Sequence, residues 1–214
     1  MNTKQIALRL YVLSCVLAVL ATIIDNDLMI LLVKPAVIPS ILYYYLASKK
    51  HPVSWTFITV LLLNFMGDTI VLLELENPTL ILMVPYFISY LMIMGFAVED
   101  VRKFKFYKQG MFISVLIFCF LMYILYQLLL MLKEVSPELV IPVLVYGIIL
   151  GIFACITAYC YYAKTALFTF YMVMFAVTSI VSDVFYIMFN FLFHIEFLNY
   201  IEFAAQLFSY YFLV

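Results

Sequence analysis

The chain is a succession of long apolar runs separated by short polar stretches. Each run has about the 20 residues that a helix needs to cross a membrane, and charged residues, proline or glycine mark the connections. The runs lie at residues 6–24, 28–48, 53–73, 79–98, 111–132, 139–162, 165–193 and 197–214. The pattern predicts an all-α integral membrane protein with eight transmembrane helices in a single domain, residues 1–214. The seventh run is long enough to tilt or kink.

Composition indicates the same class. The 214 residues are 69% hydrophobic and 11% charged, whereas a soluble domain is roughly half apolar and about a quarter charged. The net charge of −1 gives no reason to expect nucleic acid as a partner. The four cysteines and two histidines have no metal-ligand spacing, so we expect neither a metal site nor a cofactor. The oligomeric state is left open.

The first run begins like a signal peptide, because Lys4 and Arg9 precede most of its apolar residues. However, it continues to Ile24 and ends in Asp25-Asn26-Asp27, with no small-residue cleavage site before that point. We therefore interpret it as a retained first span.

Charge in the connections predicts the orientation. With eight spans, one side of the membrane collects Lys4, Arg9, Lys49, Lys50, Arg102, Lys103, Lys105, Lys108 and Lys164. The other side collects Lys133 together with Asp25, Asp27, Glu74, Glu76, Glu134, Glu138 and Glu196. By the positive-inside rule both termini are cytoplasmic. In a bacterium the membrane would be the inner, plasma membrane.

Three charged residues lie inside the apolar runs: Lys34, Asp68 and Asp183. A charge at the bilayer centre costs about 2.5–3.5 kcal/mol on insertion scales, so each of them needs a partner or a wet cavity. Counting from the ends of the spans puts them in the outer half to the middle of the membrane. Spans 2, 3, 4, 6, 7 and 8 all carry polar groups at such depths, including Tyr86 in span 4 and Tyr146 in span 6. One cavity open to the outer side explains this most simply.

A structural role is the alternative for these charges. A buried pair of Lys34 with one aspartate is often no more stabilising than apolar side chains of similar size. We favour a functional role, because ionisable residues inside a membrane usually serve a site. Helical spacing agrees, since Asn64 and Asp68 share one helix face and Glu202 and Gln206 share another. Gly67, next to Asp68, lets a neighbouring helix approach closely.

In these residues the chain resembles the YhhN family of membrane proteins, which includes lysoplasmalogenases. The matching dipeptides, in order along the chain, are Lys34-Pro35, Gly67-Asp68, Ser182-Asp183 and Ala205-Gln206. Length, layout and motif order agree along essentially the whole chain. The family usually has a histidine in the fourth span, whereas Ser89 or Tyr90 stands at about that place here.

The resemblance implies hydrolysis of the vinyl ether bond of a lysoplasmalogen, a lysophospholipid, to a fatty aldehyde and a glycerophospho-base. Protonation of the β-carbon of a vinyl ether leaves an oxocarbenium ion, which water attacks. The reaction therefore needs a carboxylic acid kept protonated by burial and a second carboxylate that steadies the cation. Asp68 and Asp183 are the candidates, in either order. Lys34 completes the catalytic set, either by holding one aspartate ionised or by neutralising the phosphate. The predicted substrate-binding residues are Asn64, Tyr90, Ser182, Tyr186, Glu202 and Gln206.

Two non-enzymatic hypotheses compete with this one. A lipid-binding membrane protein or small transporter would use the same Asp/Lys set as a proton or ion site. Against it, the polar groups occupy only the outer half of the membrane and no inverted repeat is evident. A structural subunit would tolerate joint apolar replacement of Lys34, Asp68 and Asp183.

Overall fold

The computed structural model describes residues 3–24, 26–48, 52–73, 78–104 and 106–214. Over these residues the chain forms eight α-helices and no β-strand. The helices are α1 (Thr3–Ile24), α2 (Asp27–Ser48), α3 (Trp55–Leu72), α4 (Pro78–Val101), α5 (Lys108–Val135), α6 (Val140–Ala163), α7 (Leu167–Ile187) and α8 (Glu196–Leu213). The predicted all-helical class and the eight helices are confirmed, with ends a few residues from those of the predicted runs.

The apolar surface of the helices identifies a membrane protein. Among the described residues, α1 to α7 are each long and apolar enough to cross a membrane. The outward faces expose large apolar side chains, among them Leu13, Leu32, Phe112, Ile141 and Leu167. Apolar surface of this extent needs lipid around it. The chain is therefore a multi-pass membrane protein.

The eighth helix differs from the other seven. With 18 residues α8 has the length of a short span, but Glu196, Asn199, Glu202 and Gln206 interrupt its apolar residues. Its hydropathy is therefore lower than that of α1 to α7, and it is not among the helices that length and composition alone identify as spans.

Local sequence explains where several helices begin and end. Ser54 caps α3, because its Oγ accepts the backbone N–H of Phe57 at 3.3 Å. After α5 the chain turns at Ser136-Pro137, since proline has no N–H to continue the hydrogen bonding. The long seventh run changes its helical type: α7 passes into a π-helix, Met188–Phe193, which ends at His194 with a φ of 47°.

Six helices form a closed ring. Helices adjacent in the chain pack as pairs, α1 with α2, α3 with α4, α5 with α6 and α7 with α8, as their short connections require. Contacts of α2 with α3, α4 with α6, α6 with α7 and α8 with α2 close the ring. Outside the ring, α1 packs on α2 and α8, and α5 packs on α6. The ring helices are the six spans on which the sequence placed the buried polar groups.

The two ends of the bundle differ in charge. Because the helices alternate in direction, the start of α1, the end of α4, the start of α5 and the end of α6 lie at the same end. That end carries Lys4, Arg102, Lys103, Lys108 and Lys164. Lys49, Lys50, Lys105, Asp25, Glu74 and Glu76, which also entered the predicted orientation, lie outside the described residues.

Candidate active site

The ring encloses a cavity of about 300 Å³, which is at the lower end of the range for small-molecule sites. All six ring helices contribute to its wall. Thr22, Leu72, Thr79 and Asn190, close to the ends of their helices, line it as well. The cavity therefore lies in the half of the bundle opposite the basic end.

Eight of the nine predicted site residues line this cavity. They are Lys34, Asn64, Tyr90, Ser182, Asp183, Tyr186, Glu202 and Gln206. These side chains come from α2, α3, α4, α7 and α8, so the ring brings together residues that are far apart in the sequence. The ninth, Asp68, is not part of the cavity wall.

Asp68 is buried behind the wall, with 4% of its surface exposed. Its Oδ1 accepts hydrogen bonds from the Tyr86 hydroxyl at 2.5 Å, the Gln206 amide at 2.8 Å and the Tyr210 hydroxyl at 2.9 Å. The Tyr210 hydroxyl also lies 2.8 Å from Oδ2. Tyr86, Gln206 and Tyr210 themselves line the cavity. Asp68 thus fixes three polar side chains of the wall and does not itself face the space they surround.

Gly67 makes the Asp68 cluster sterically possible. A Cβ at this position would lie 2.7 Å from Cζ of Tyr86, the ring carbon that carries the hydroxyl. Only glycine lets the Tyr86 ring lie against α3 and reach Asp68. The predicted close approach of a neighbouring helix at Gly67 is therefore a contact with a side chain of α4.

Lys34 projects into the cavity from α2 without an ion pair. No described carboxylate oxygen lies within ion-pair distance of its ammonium, which sits over the Phe203 ring, 5.0 Å from the centroid. Its charge nevertheless acts on Asp68 and Glu202, for which it is the main favourable electrostatic partner. The structural alternative, a direct salt bridge of Lys34 with Asp68 or Asp183, is not present.

Asp183 has very different surroundings from Asp68. Its Oδ2 accepts from the Tyr146 hydroxyl at 2.9 Å and from the Tyr90 hydroxyl at 3.4 Å. The Tyr90 and Tyr146 rings meet edge to face, with centroids 5.7 Å apart, and so hold the two hydroxyls on one side of the carboxyl group. No described residue donates to Oδ1. Asp183 is therefore held firmly at one oxygen and free at the other, in a group that lines the cavity.

Glu202 is a second carboxylate on the cavity wall. It is half-buried on α8 and interacts electrostatically with Lys34, Asp68 and Asp183. No described residue gives it a hydrogen bond. Glu202 on α8 lines the same cavity as Asp183 and Tyr186 on α7.

Two neighbouring residues of the fourth helix, Ser89 and Tyr90, contact different parts of the site. Ser89 is 1% exposed, and its Oγ accepts the amide of Asn64 at 2.9 Å. The same amide also donates to the Val60 carbonyl at 2.8 Å. Ser89 therefore orients Asn64 in the cavity wall, while its neighbour Tyr90 donates a hydrogen bond to Asp183.

The π-helix adds residues to the mouth of the cavity. Its Phe189 and Asn190 line the space, as does Tyr186 one turn earlier. The Tyr186 hydroxyl lies 3.2 Å from Thr79 Oγ1 on α4, and the Asn190 amide donates to the Tyr186 carbonyl at 2.9 Å. A π-helical turn next to a site is a frequent feature of functional helices.

The structure places more tyrosines in the site than the sequence predicted. Tyr86 and Tyr146 were recognised as polar groups at the right depth, but the predicted site set did not include them. Tyr210 was missed altogether, although it lies four residues after Gln206, on the same face of α8. Tyrosine is a common packing residue in membrane helices, so its hydrogen-bonding role becomes visible only when its partner is known.

Comparison with known proteins identifies a family. The model of the YhhN family matches residues 29–212. This range contains every predicted site residue and all four tyrosines that bind the two aspartates. No curated protein and no solved structure matches the chain at a significant level.

Proposed function

The chain belongs to the YhhN family, and from this premise and the chemistry of its cavity we propose that it is a membrane hydrolase of the lysoplasmalogenase type. Its substrate is a lysophospholipid with a vinyl ether bond, and its products are a fatty aldehyde and a glycerophospho-base. The observation that carries the proposal is Asp183, a carboxyl group in the cavity wall with one oxygen bound by two tyrosines and the other free.

Asp183 is the general acid in this proposal. Tyr146 and Tyr90 both donate to Oδ2, so a proton on the carboxyl group belongs on Oδ1. No lysine, arginine or histidine of the described residues lies within ion-pair distance of Asp183. A neutral carboxylic acid fits such surroundings better than a carboxylate does.

The reaction then follows in three steps. Asp183 transfers its proton to the β-carbon of the vinyl ether, and the α-carbon becomes an oxocarbenium ion. Water adds to the α-carbon and returns a proton to Asp183. The resulting hemiacetal breaks its bond to the glycerol oxygen, which leaves as the alcohol, and the fatty aldehyde remains. In total, one vinyl ether and one water are consumed, and one aldehyde and one alcohol are formed.

Glu202 is the second carboxylate in this proposal. It faces the cavity, as Asp68 does not, and Asp183 and Tyr186 line the same cavity. A carboxylate there steadies the cation and orients the attacking water. Asp68 acts through other residues: it positions Tyr86, Gln206 and Tyr210.

Lys34 is the candidate for the phosphate of the substrate. Its ammonium lies in the cavity and has no hydrogen-bond partner among the described residues, so all its donors are available. An ammonium group binds phosphate as a compact point charge. This role agrees with the second of the two that the sequence suggested for Lys34.

The proposal includes an orientation in the membrane. All eight helices cross, α8 as the least apolar of them because its polar face serves the cavity. Both termini are then cytoplasmic and the cavity opens to the outer leaflet of the plasma membrane, which is the inner membrane of a bacterial cell. The lysolipid enters from that leaflet.

The alternative is a protein that binds the lysolipid or carries an ion without cleaving anything. The absence of the family's fourth-span histidine favours it, because Ser89 and Tyr90 are weaker acids and bases at neutral pH than histidine is. This non-catalytic alternative predicts that a lysoplasmalogen binds in the cavity and is recovered intact.

The test is hydrolysis in D₂O by the purified protein and by Asp183→Asn. We expect the aldehyde from the unchanged protein to carry deuterium on the carbon next to its carbonyl, and turnover of Asp183→Asn to fall about 10²–10⁴-fold. Asp100→Asn is the matched control, since Asp100 pairs with Lys103 away from the cavity. Undiminished turnover in Asp183→Asn would refute the role of this residue.

A further inference from the structure

A second, smaller cavity adjoins the first. It has a volume of about 70 Å³ and lies between α5, α6 and α7. Four residues belong to the walls of both cavities: Val143, Tyr146, Asp183 and Ile187. The two spaces are therefore separated only by these side chains, and Asp183 stands at their junction.

The two cavities differ in chemistry. Apart from Tyr146 and Asp183, the smaller one is lined by leucine, isoleucine, valine and glycine alone, with Leu121, Leu125 and Leu128 on α5 and Gly147 and Gly151 on α6. The larger cavity contains Lys34, Glu202 and the amide side chains. A group placed beside Asp183 thus has a charged, hydrogen-bonding space on one side and a hydrocarbon-like space on the other.

We propose that the smaller cavity, the α5–α7 crevice, takes the start of the hydrocarbon chain of a single-chain lipid whose head group lies in the larger cavity. The inference rests on the proposed function and makes it more specific. In a lysolipid with a vinyl ether, the reactive double bond is where the polar head group meets the chain. In this protein, Asp183 is where the polar cavity meets the apolar one.

The volume of the crevice suits this occupant. By the same measure a cavity needs about 10–15 Å³ to hold one water molecule, so the crevice has room for a short run of methylene groups. We expect the crevice to exclude water, because most of its lining residues cannot form hydrogen bonds with a water molecule. A chain seated there would also keep bulk water from that side of Asp183.

The first experiment fills the crevice from α5, the helix outside the ring. Leu121→Phe and Leu125→Phe each put a larger side chain into the crevice, and neither residue lines the polar cavity. Kinetics are measured with two vinyl-ether lysolipids in detergent, one with a long chain and one whose chain ends before the crevice. We expect kcat/KM for the long chain to fall about tenfold, a loss of about 1.4 kcal/mol, and that for the short chain to stay unchanged.

Leu116→Phe is the matched control. It makes the same change on the same helix, but Leu116 is 54% exposed and lies on the outer surface, away from the crevice. We expect this variant to cleave both substrates like the unchanged protein. Retained cleavage of the short chain by Leu121→Phe and Leu125→Phe shows in the same assay that these variants are folded.

The second experiment does not depend on catalysis. An alkyl-ether lysolipid, which has no double bond to cleave, carries a diazirine in its chain close to the ether oxygen and is photolysed with the unchanged protein. We expect crosslinks at Leu121 and Leu125 that an excess of the unmodified lipid suppresses. Crosslinks confined to outward residues such as Leu116, and unaffected by competitor, would overturn the proposal.

The two experiments separate the inference from the function on which it rests. If the protein cleaves vinyl ethers but Leu121→Phe and Leu125→Phe affect both chain lengths equally, the crevice is not the chain site and the hydrolase proposal stands. If the protein cleaves nothing but the probe labels Leu121 and Leu125 in a competed manner, the chain site stands and the hydrolase proposal fails.

Discussion

At the residue scale, the two intramembrane aspartates have different surroundings. Asp68 has three hydrogen-bond donors, Tyr86, Gln206 and Tyr210, all of which line the cavity. Asp183 has two tyrosine hydroxyls on one oxygen and no cation. The sequence identified both residues but could not distinguish them. The difference depends on tyrosines of α4, α6 and α8, whose direction a sequence does not reveal.

These surroundings predict that Asp68→Asn weakens the fold as well as the activity. Asparagine can accept only at its amide oxygen, so with that oxygen in place of Oδ1 the hydrogen bond from Tyr210 to Oδ2 is lost. An unsatisfied buried polar group costs about 1–3 kcal/mol. We expect the free energy of unfolding in detergent to fall by about that amount. Asp100→Asn, which removes a partly exposed ion pair with Lys103, should cost less than about 1 kcal/mol.

An Asp68→Asn protein as stable as the unchanged one would mean that the cluster does not organise the cavity wall. Asp68→Asn in combination with Tyr210→Phe gives a further check. Because Tyr210 donates to both oxygens of Asp68, the two changes should cost less together than the sum of their separate effects.

At the element scale, the site depends on how closely α3 and α4 approach each other. Gly67 gives the Tyr86 ring its space, and Asn64, one turn earlier on the same helix, meets Ser89 on α4. The sequence predicted that a helix would come close at Gly67. It did not predict the π-helix after α7, because its residues are as apolar as those of an α-helix and no proline or glycine marks the change.

Gly67→Ala should therefore disrupt the site. Its methyl group would lie 2.7 Å from the Tyr86 ring, so the ring must move and its hydrogen bond to Asp68 is lost. Overpacking of this kind costs about 1–3 kcal/mol, and we expect turnover to fall with it. Two quantities are measured for this variant: the free energy of unfolding in detergent and the rate of aldehyde release.

Gly95→Ala on α4 is the control for that substitution. A Cβ at Gly95 meets no atom within 4 Å, and alanine in place of an unconstrained glycine stabilises a protein by about 0.4–1 kcal/mol. Activity should be unchanged. The steric argument fails if the two alanine variants behave alike.

At the scale of the whole molecule, the pattern of apolar and polar residues predicted the eight helices and a shared polar cavity. Apolar runs and their punctuation predicted every helix, because a membrane helix has to be long and apolar. The shared depth of the polar groups predicted a common cavity. The buried polar groups mark the six helices around the cavity and leave out α1 and α5. The order of helices in the ring could not be predicted, since nothing in the sequence shows that helices distant in the chain, such as α2 and α8, are neighbours.

The orientation is a separate prediction at this scale. With eight crossings, a reporter that matures only in the cytoplasm is active at the N-terminus and also at the C-terminus after Val214. If α8 does not cross, the C-terminus lies on the other side and only the N-terminal fusion is active. We expect both fusions to be active, because the basic end of the bundle contains the start of α1.

The measurement that tests the central claim most directly is aldehyde release by the purified protein in detergent. The substrate is a lysoplasmalogen, and the control is the corresponding alkyl-ether lysolipid, which lacks the double bond that Asp183 would protonate. We predict that aldehyde is released from the vinyl ether, that none is released from the alkyl ether, and that Asp183→Asn loses this activity. Intact vinyl ether after incubation with folded protein would contradict the account.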